Sequence, residues 1–205
     1  HRLDETADGT QYIVMEYLDG EELVEILRRE RPLPPARVES IARQALAALD
    51  ESHRLGFVHR DLKPENLFIC RDAEGRDLVK VFDFGIAKIT GKGIRETTKL
   101  TVDGRVIGTP VYMSPEQCRG EPLCEASDLY SLGIVLYEAL TGRVPFDNEN
   151  PVQVLVMHNA APVPPLPAEI AGSRLGRCVM RVLAKSPADR FATASDFLGA
   201  LDGKV

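Results

Sequence analysis

The 205-residue chain is 44% hydrophobic and 27% charged, the balance of an ordinary folded domain with room for a real core. Its net charge of −6 argues against a broad basic footprint for nucleic acid or an anionic membrane. No apolar run is long enough to span a bilayer, and the polar start "HRLDETADGT" predicts no signal peptide. Cys70, Cys118, Cys124 and Cys178 form no CxxC pair, which points away from a zinc site or disulfide framework. Reduced thiols in a cytoplasmic setting are expected, with a membrane anchor outside these residues left open.

In chain order, "QYIVMEYL" (11–18) follows a turn-like "ADG" and reads as a buried strand. "DGEELVEILRRE" (19–30) reads as a helix, acids early and arginines late as the helix dipole prefers, and "RPLPP" stops it. Val38, Ile41, Ala42, Ala45, Leu46 and Leu49 fall at helical spacing and predict a helix over 36–55, ended by Gly56. Two short strands follow, "LFIC" (67–70) and "LVKVF" (78–82), joined by the polar turn "RDAEGRD". Residues 86–108 keep no period and carry Gly91, Gly93 and Gly104, the pattern expected of a mobile segment. "SDLYSLGIVLYEALTG" (127–142) is apolar on nearly every face and predicts a helix buried in mid-domain. "APVPPLPAE" (161–169) is a proline-stiffened loop, and 173–185 and 193–201 close the chain as helices. Thr193 and Asp196 make a capping-box pattern at the start of the last one. No repeat appears, and the fold class expected is mostly α with a few short strands.

Between apolar flanks lies "HRDLKPENLF" (59–68), with charges that need a partner or a task. His59-Arg60-Asp61-Leu62 and, three residues on, Asn66 fit the catalytic-loop signature of protein kinases. Asp83-Phe84-Gly85 stands seventeen residues after Asn66, and Ser114-Pro115-Glu116 takes the place of an Ala-Pro-Glu. Three motifs in order, in fitting strands and helices, are far more specific than any one of them. The chain resembles the C-terminal lobe of a bacterial-type, eukaryotic-like Ser/Thr protein kinase, with "GTPVYMSPEQ" and "LAKSPADRF" as further matches. The resemblance implies the C-lobe of the protein-kinase-like (α+β) fold over 19–205. Residues 1–18 would be a remnant of the small-lobe strand and hinge, 59–66 the catalytic loop and 83–116 the activation segment.

It also implies roles. Asp61 would orient or accept the proton of a substrate hydroxyl, and Lys63 would reach the moving γ-phosphate of ATP. Asn66 and Asp83 would supply oxygens to Mg²⁺, with Phe84 packing to set Asp83. Thr109 would bridge Asp61 and Lys63 and, with Lys63, marks a preference for protein Ser/Thr. Met15 would be the gatekeeper, the backbone of Glu16 and Leu18 would bond the adenine edge, Glu22 would reach the ribose and Phe68 would lie under the base. Arg60 would pair with a phosphate on Thr97, Thr98 or Thr101, with Asp103 as a partial charge mimic. Glu116 and Arg190 would form a buried pair, and Asp128 would accept backbone N–H bonds from the catalytic loop. His53 and His158, with no constellation around them, read as surface or satisfied histidines.

The family's Gly-rich loop, strand lysine and helix glutamate lie upstream of the hinge. The fourteen residues before Met15 hold one glycine and no lysine, and the first lysine is Lys63. "GIAKITGK" (85–92) is one residue too long for a P-loop and lies outside a strand–helix junction. A fragment of a Ser/Thr kinase is therefore expected, inactive alone. A kinase-like module that docks protein partners without catalysis is the alternative.

Overall fold

The computed structural model describes residues 2–6, 8–14, 16–83, 101–102, 105–106 and 110–204. Arg2–Glu5 (β1) and Gln11–Val14 (β2) form an antiparallel hairpin with Arg2 opposite Val14. The strand expected over 11–18 is shorter and less buried than its apolar run suggests. It stops at Val14, and Tyr12, Val14 and Tyr17 are exposed. A two-stranded ribbon has no second layer of its own, so the face bearing Tyr12 and Val14 meets solvent.

Gly20–Glu22 (β3), Leu67–Arg71 (β4) and Asp77–Val81 (β5) form an antiparallel sheet in the order β3-β4-β5. The helix predicted over 19–30 therefore begins later, as Leu23–Glu30 (α1). Residues 20–22 carry no apolar pattern of their own and are strand because β4 offers them a ladder. Gly20 lies flush on that ladder, where a Cβ would come within 2.3 Å of the Ile69 carbonyl oxygen.

Pro35–Arg54 (α2) buries the predicted stripe and extends it to Ser52 and His53. The prolines before it start this helix as well as stopping the last: Pro35 sits in the first turn, where an N–H would lack a partner anyway. Pro115–Arg119 (α3) leads to Glu125–Thr141 (α4), in which every residue from Ala126 to Leu140 is buried. Pro151–Ala160 (α5) and Ala168–Ala171 (α6) follow. Arg174–Val182 (α7) and Ala194–Asp202 (α8) complete the chain. The box at Thr193 and Asp196 is formed, each side chain accepting from the other's backbone N–H.

The core is a stack around α4, with α2 on one side and α7 on the other, and α8 against both α2 and α7. Gly133 lets α4 and α7 touch: a Cβ there would meet Val182 Cγ1 at 2.5 Å. Thr101–Val102 (β6) and Arg105–Val106 (β7) pair as a short ribbon inside the stretch read as aperiodic. All four cysteines are free. Among the described residues no helix is long and apolar enough to cross a membrane.

Candidate active site

The loop over 59–66 is held by its backbone. Asp128, near the start of α4, accepts from His59 N–H at 2.7 Å and Arg60 N–H at 2.9 Å. Its Oδ2 also lies 2.8 Å from His53 Nε2 on α2. Gln117 of α3 donates from Nε2 to the Arg60 carbonyl at 2.6 Å. Arg60 thus has both its amide and its carbonyl gripped while its φ is +70°. Left-handed backbone at a residue with a side chain costs roughly 1–2 kcal/mol, and such a cost is borne only where the surroundings over-determine the conformation. The buried His59 bridges inward: its Nε2 lies 2.6 Å from the Phe82 carbonyl, and Asp61 N–H donates to its Nδ1 at 3.4 Å. These two bonds call for the Nε2–H tautomer.

The acid at the centre is treated differently from its neighbours. The Asp61 side chain is 59% exposed, and its carboxylate has Lys63 Nζ at 3.3 Å as its charged neighbour. Asn66 is buried and donates from Nδ2 to the Asp61 carbonyl at 2.7 Å, which turns its Oδ1 away as an acceptor. Phe82 N–H donates to the Asn66 carbonyl at 2.9 Å, tying the end of β5 to the loop. Asp83 follows at once, exposed and at φ +54°. An amide oxygen and a carboxylate on adjacent anchored segments are hard donors that suit Mg²⁺, an ion that takes one or two protein ligands plus substrate phosphates. Among the described residues no group of three or more His, Cys, Asp or Glu could hold a metal ion.

Two of the expected base-binding residues, Glu22 and Phe68, lie on the sheet. Glu22, Phe68 and Lys80 are in register across β3, β4 and β5, so their side chains share one face. Glu16 reaches Lys80 Nζ at 3.9 Å, Leu18 is half-buried, and the Phe68 ring tilts against Phe82 at 5.4 Å. The Arg60 guanidinium is exposed, with no carboxylate pair among the described residues. Met15, Phe84, Thr97, Thr98, Asp103 and Thr109 lie outside the described residues, as does the side chain of Thr101.

Behind the loop, Arg190 and Glu116 form a fork-to-fork pair at 2.8 and 2.9 Å, both side chains essentially inaccessible. Arg190 gives its remaining donors to the carbonyls of Ala126, Lys185 and Ala184, and its guanidinium lies 4.7 Å from the Tyr130 ring. All five donors are used. Burial pushes the Glu116 carboxyl up, but the bonds from Arg190 and Ser127 outweigh it and hold it below the usual range.

Sequence reasoning missed Gln117 and the place of His53 beside Asp128. His53 is buried and touches Asp128; the signal was its place one turn beyond Leu49 on the apolar stripe of α2. Gln117 could be read as the partner of Ser114 in a capping box, which it is, but its reach to Arg60 spans 57 residues. His158 is a satisfied core histidine: Tyr130 OH lies 3.0 Å from Nδ1 and the Val111 carbonyl 3.0 Å from Nε2. Burial drives its pKa down to about 4.

Residues 5–195 match the family model of the protein kinase domain. The chain is 44% identical over 198 residues to serine/threonine-protein kinase pkn3 of Myxococcus xanthus, which covers 95% of this chain and 36% of that protein. It is 43% identical over 195 residues to serine/threonine-protein kinase PknB of Mycobacterium leprae, covering 94% and 30%. With Pkn1 of Myxococcus xanthus the identity is 40% over 193 residues, covering 93% and 27%. The chain spans about a third of the length of the curated relatives it matches.

Proposed function

This chain belongs to the protein kinase family, and from that premise we propose that it carries the catalytic loop of a serine/threonine kinase that transfers the γ-phosphate of ATP to protein hydroxyls. In this reading residues 19–205 are the C-terminal lobe and residues 1–18 the strand and hinge leading into it. The observation that carries it is the contrast around Asp61: a loop fixed through its backbone, with one carboxylate left open toward solvent beside a lysine. Phosphoryl transfer needs positioning and charge stabilisation more than covalent help, which is what such a loop provides.

Asp61 receives the hydroxyl proton of the incoming Ser or Thr as its oxygen bonds to the γ-phosphorus and the bond to the ADP oxygen breaks. Lys63 faces the charge on the transferred group. Asn66 and Asp83 would hold Mg²⁺, which when bound neutralises phosphate charge. The sheet face of Glu22 and Phe68, with the Glu16–Leu18 backbone, would receive the nucleoside, and Thr109 would orient Asp61 and Lys63. Arg60 would take a phosphate on Thr97, Thr98 or Thr101 and so order the segment over 83–116.

The test joins residues 1–205 to an upstream nucleotide lobe with a Gly-rich loop and a strand lysine, and follows ³²P transfer from ATP to a generic basic protein. Asp61→Asn should lower turnover about 10²–10⁴-fold with ATP binding little changed. Asp83→Asn should weaken Mg·ATP binding too. Full turnover in Asp61→Asn would overturn the reading. The 205-residue polypeptide alone, with no lysine before Lys63, should turn over far below about 1 s⁻¹, the low end for kinases.

A further inference from the structure

Most arginines whose side chains are described are ion-paired: Arg28, Arg29, Arg37, Arg43, Arg54, Arg71, Arg76, Arg119 and Arg190 each have a carboxylate within 3.3 Å. One helix departs from the pattern. Arg174, Arg177 and Arg181 recur at i, i+3 and i+7 along α7, all exposed, and none has a carboxylate pair among the described residues. Together they line a concavity of about 200 Å³ against the end of α8, floored by Cys178 and Phe191.

Each of the three donates to a backbone carbonyl: Arg174 to Leu201, Arg177 to Gly172 and Arg181 to Arg190. A guanidinium has five donors, so each keeps several free. Arg181 is further oriented by the Phe191 ring, 4.3 Å from its Cζ. The three converge: burial raises the Cys178 thiol, and all three guanidiniums oppose that rise. The nearest acids do not neutralise them. Glu39 is held by Arg43, and Asp202 by Arg43 and Lys204. A local excess of positive charge therefore stands on a chain of net charge −6.

We propose that this concavity on α7 binds a phosphomonoester carried by a phosphorylated protein segment. Arginine forks match phosphate oxygens with two bonds per fork, and a dianion suits a concave site with three of them. A bilayer surface fits less well: the acidic Asp202 lies at the end of α8 against which the trio sits, and the floor of Cys178 and Phe191 is buried and offers no exposed apolar residue to insert. The proposal goes beyond the reading of the loop over 59–66 and needs no catalysis.

The experiment is fluorescence anisotropy of the 205-residue chain, without ATP, with a labelled phosphothreonine peptide, its unphosphorylated twin, and phosphatidylserine vesicles as a third arm. The phosphopeptide should bind about tenfold or more tighter than its twin, should weaken as salt rises and should be displaced by inorganic phosphate. Replacing Arg177 and Arg181 by Gln should remove that preference; Arg174 is kept because it bonds the end of α8. If the double variant melts below the wild type, Arg177→Lys and Arg181→Lys, which keep charge but lose the fork, should still lose most of it. Equal binding of the twin, an unchanged preference in both double variants, or arginine-dependent capture by vesicles alone would each overturn the proposal. None of these outcomes bears on Asp61, so the kinase reading stands or falls separately.

Discussion

Asp61 and Asp128 serve the same loop in opposite ways. The Asp128 side chain is 2% exposed and accepts from two backbone amides with a histidine nitrogen at 2.8 Å. That of Asp61 is 59% exposed and has one lysine beside it. A carboxylate committed to holding backbone cannot also take a proton from a substrate, and one left open contributes little to the fold. The committed charge holds the amides of His59 and Arg60 and the open one sits on the very next residue, so the cost of removing a charged group should follow how many partners it holds.

The largest effect is expected at the group with most partners. Arg190→Ala strips the buried Glu116 of its charged partner and of the two bonds that partner makes, and should cost about 3–5 kcal/mol in urea unfolding. A loss smaller than that of Asp128→Asn would break the ranking. Next comes His158, whose burial makes stability depend on pH. The unfolded chain takes up this proton near 6.5, the folded one only near 4. Stability is present above about 6.5 and is lost as pH falls toward 4, by an amount on the order of 3 kcal/mol. Denaturant midpoints measured across that window should slope in the wild type and flatten in His158→Gln.

Asp128→Asn keeps the shape but puts an NH₂ against one of the two N–H donors, Arg60 at the Oδ1 position or His59, with His53 beside it, at the Oδ2 position. Leaving one buried donor unmet should cost about 2 kcal/mol, and amide exchange at His59 and Arg60 should quicken in step. Unchanged exchange there would show that Gln117 alone can hold the loop. The smallest effect is reserved for Asp61→Asn, within about 0.5 kcal/mol of wild type by thermal melt. A large destabilisation would mean that Asp61 is structural after all, and the contrast with Asp128 would be lost.

Helix α2 was legible because six apolar residues, Val38 to Leu49, mark one face over about three turns, and α4 because it is apolar on nearly every face. Helix α5 was not: its apolar residues run together as "VQVLVM", leaving Val152 and Val156 exposed while Val154 is buried. Strand β3 was read as the start of a helix because "GEE" has no period, and its conformation is set by β4, more than forty residues on. The motif over 59–66 was visible as spacing, and so were Glu116 and Arg190 as members of matching segments. The grip of Gln117 on the loop was not, nor was the contact of His53 with Asp128, since a capping box and a place on the α2 stripe announce burial or a local bond and not a distant partner.

Periodicity, caps and motif spacing are local, and they were enough to place α2, α4, α7 and α8, the loop and its candidate acid. The strand at 20–22, the satisfied histidines and the arginine face of α7 depend on which surfaces meet. A hydrogen bond between residues 57 apart, or a guanidinium left without a carboxylate, exists only once the packed chain has brought some groups together and kept others apart.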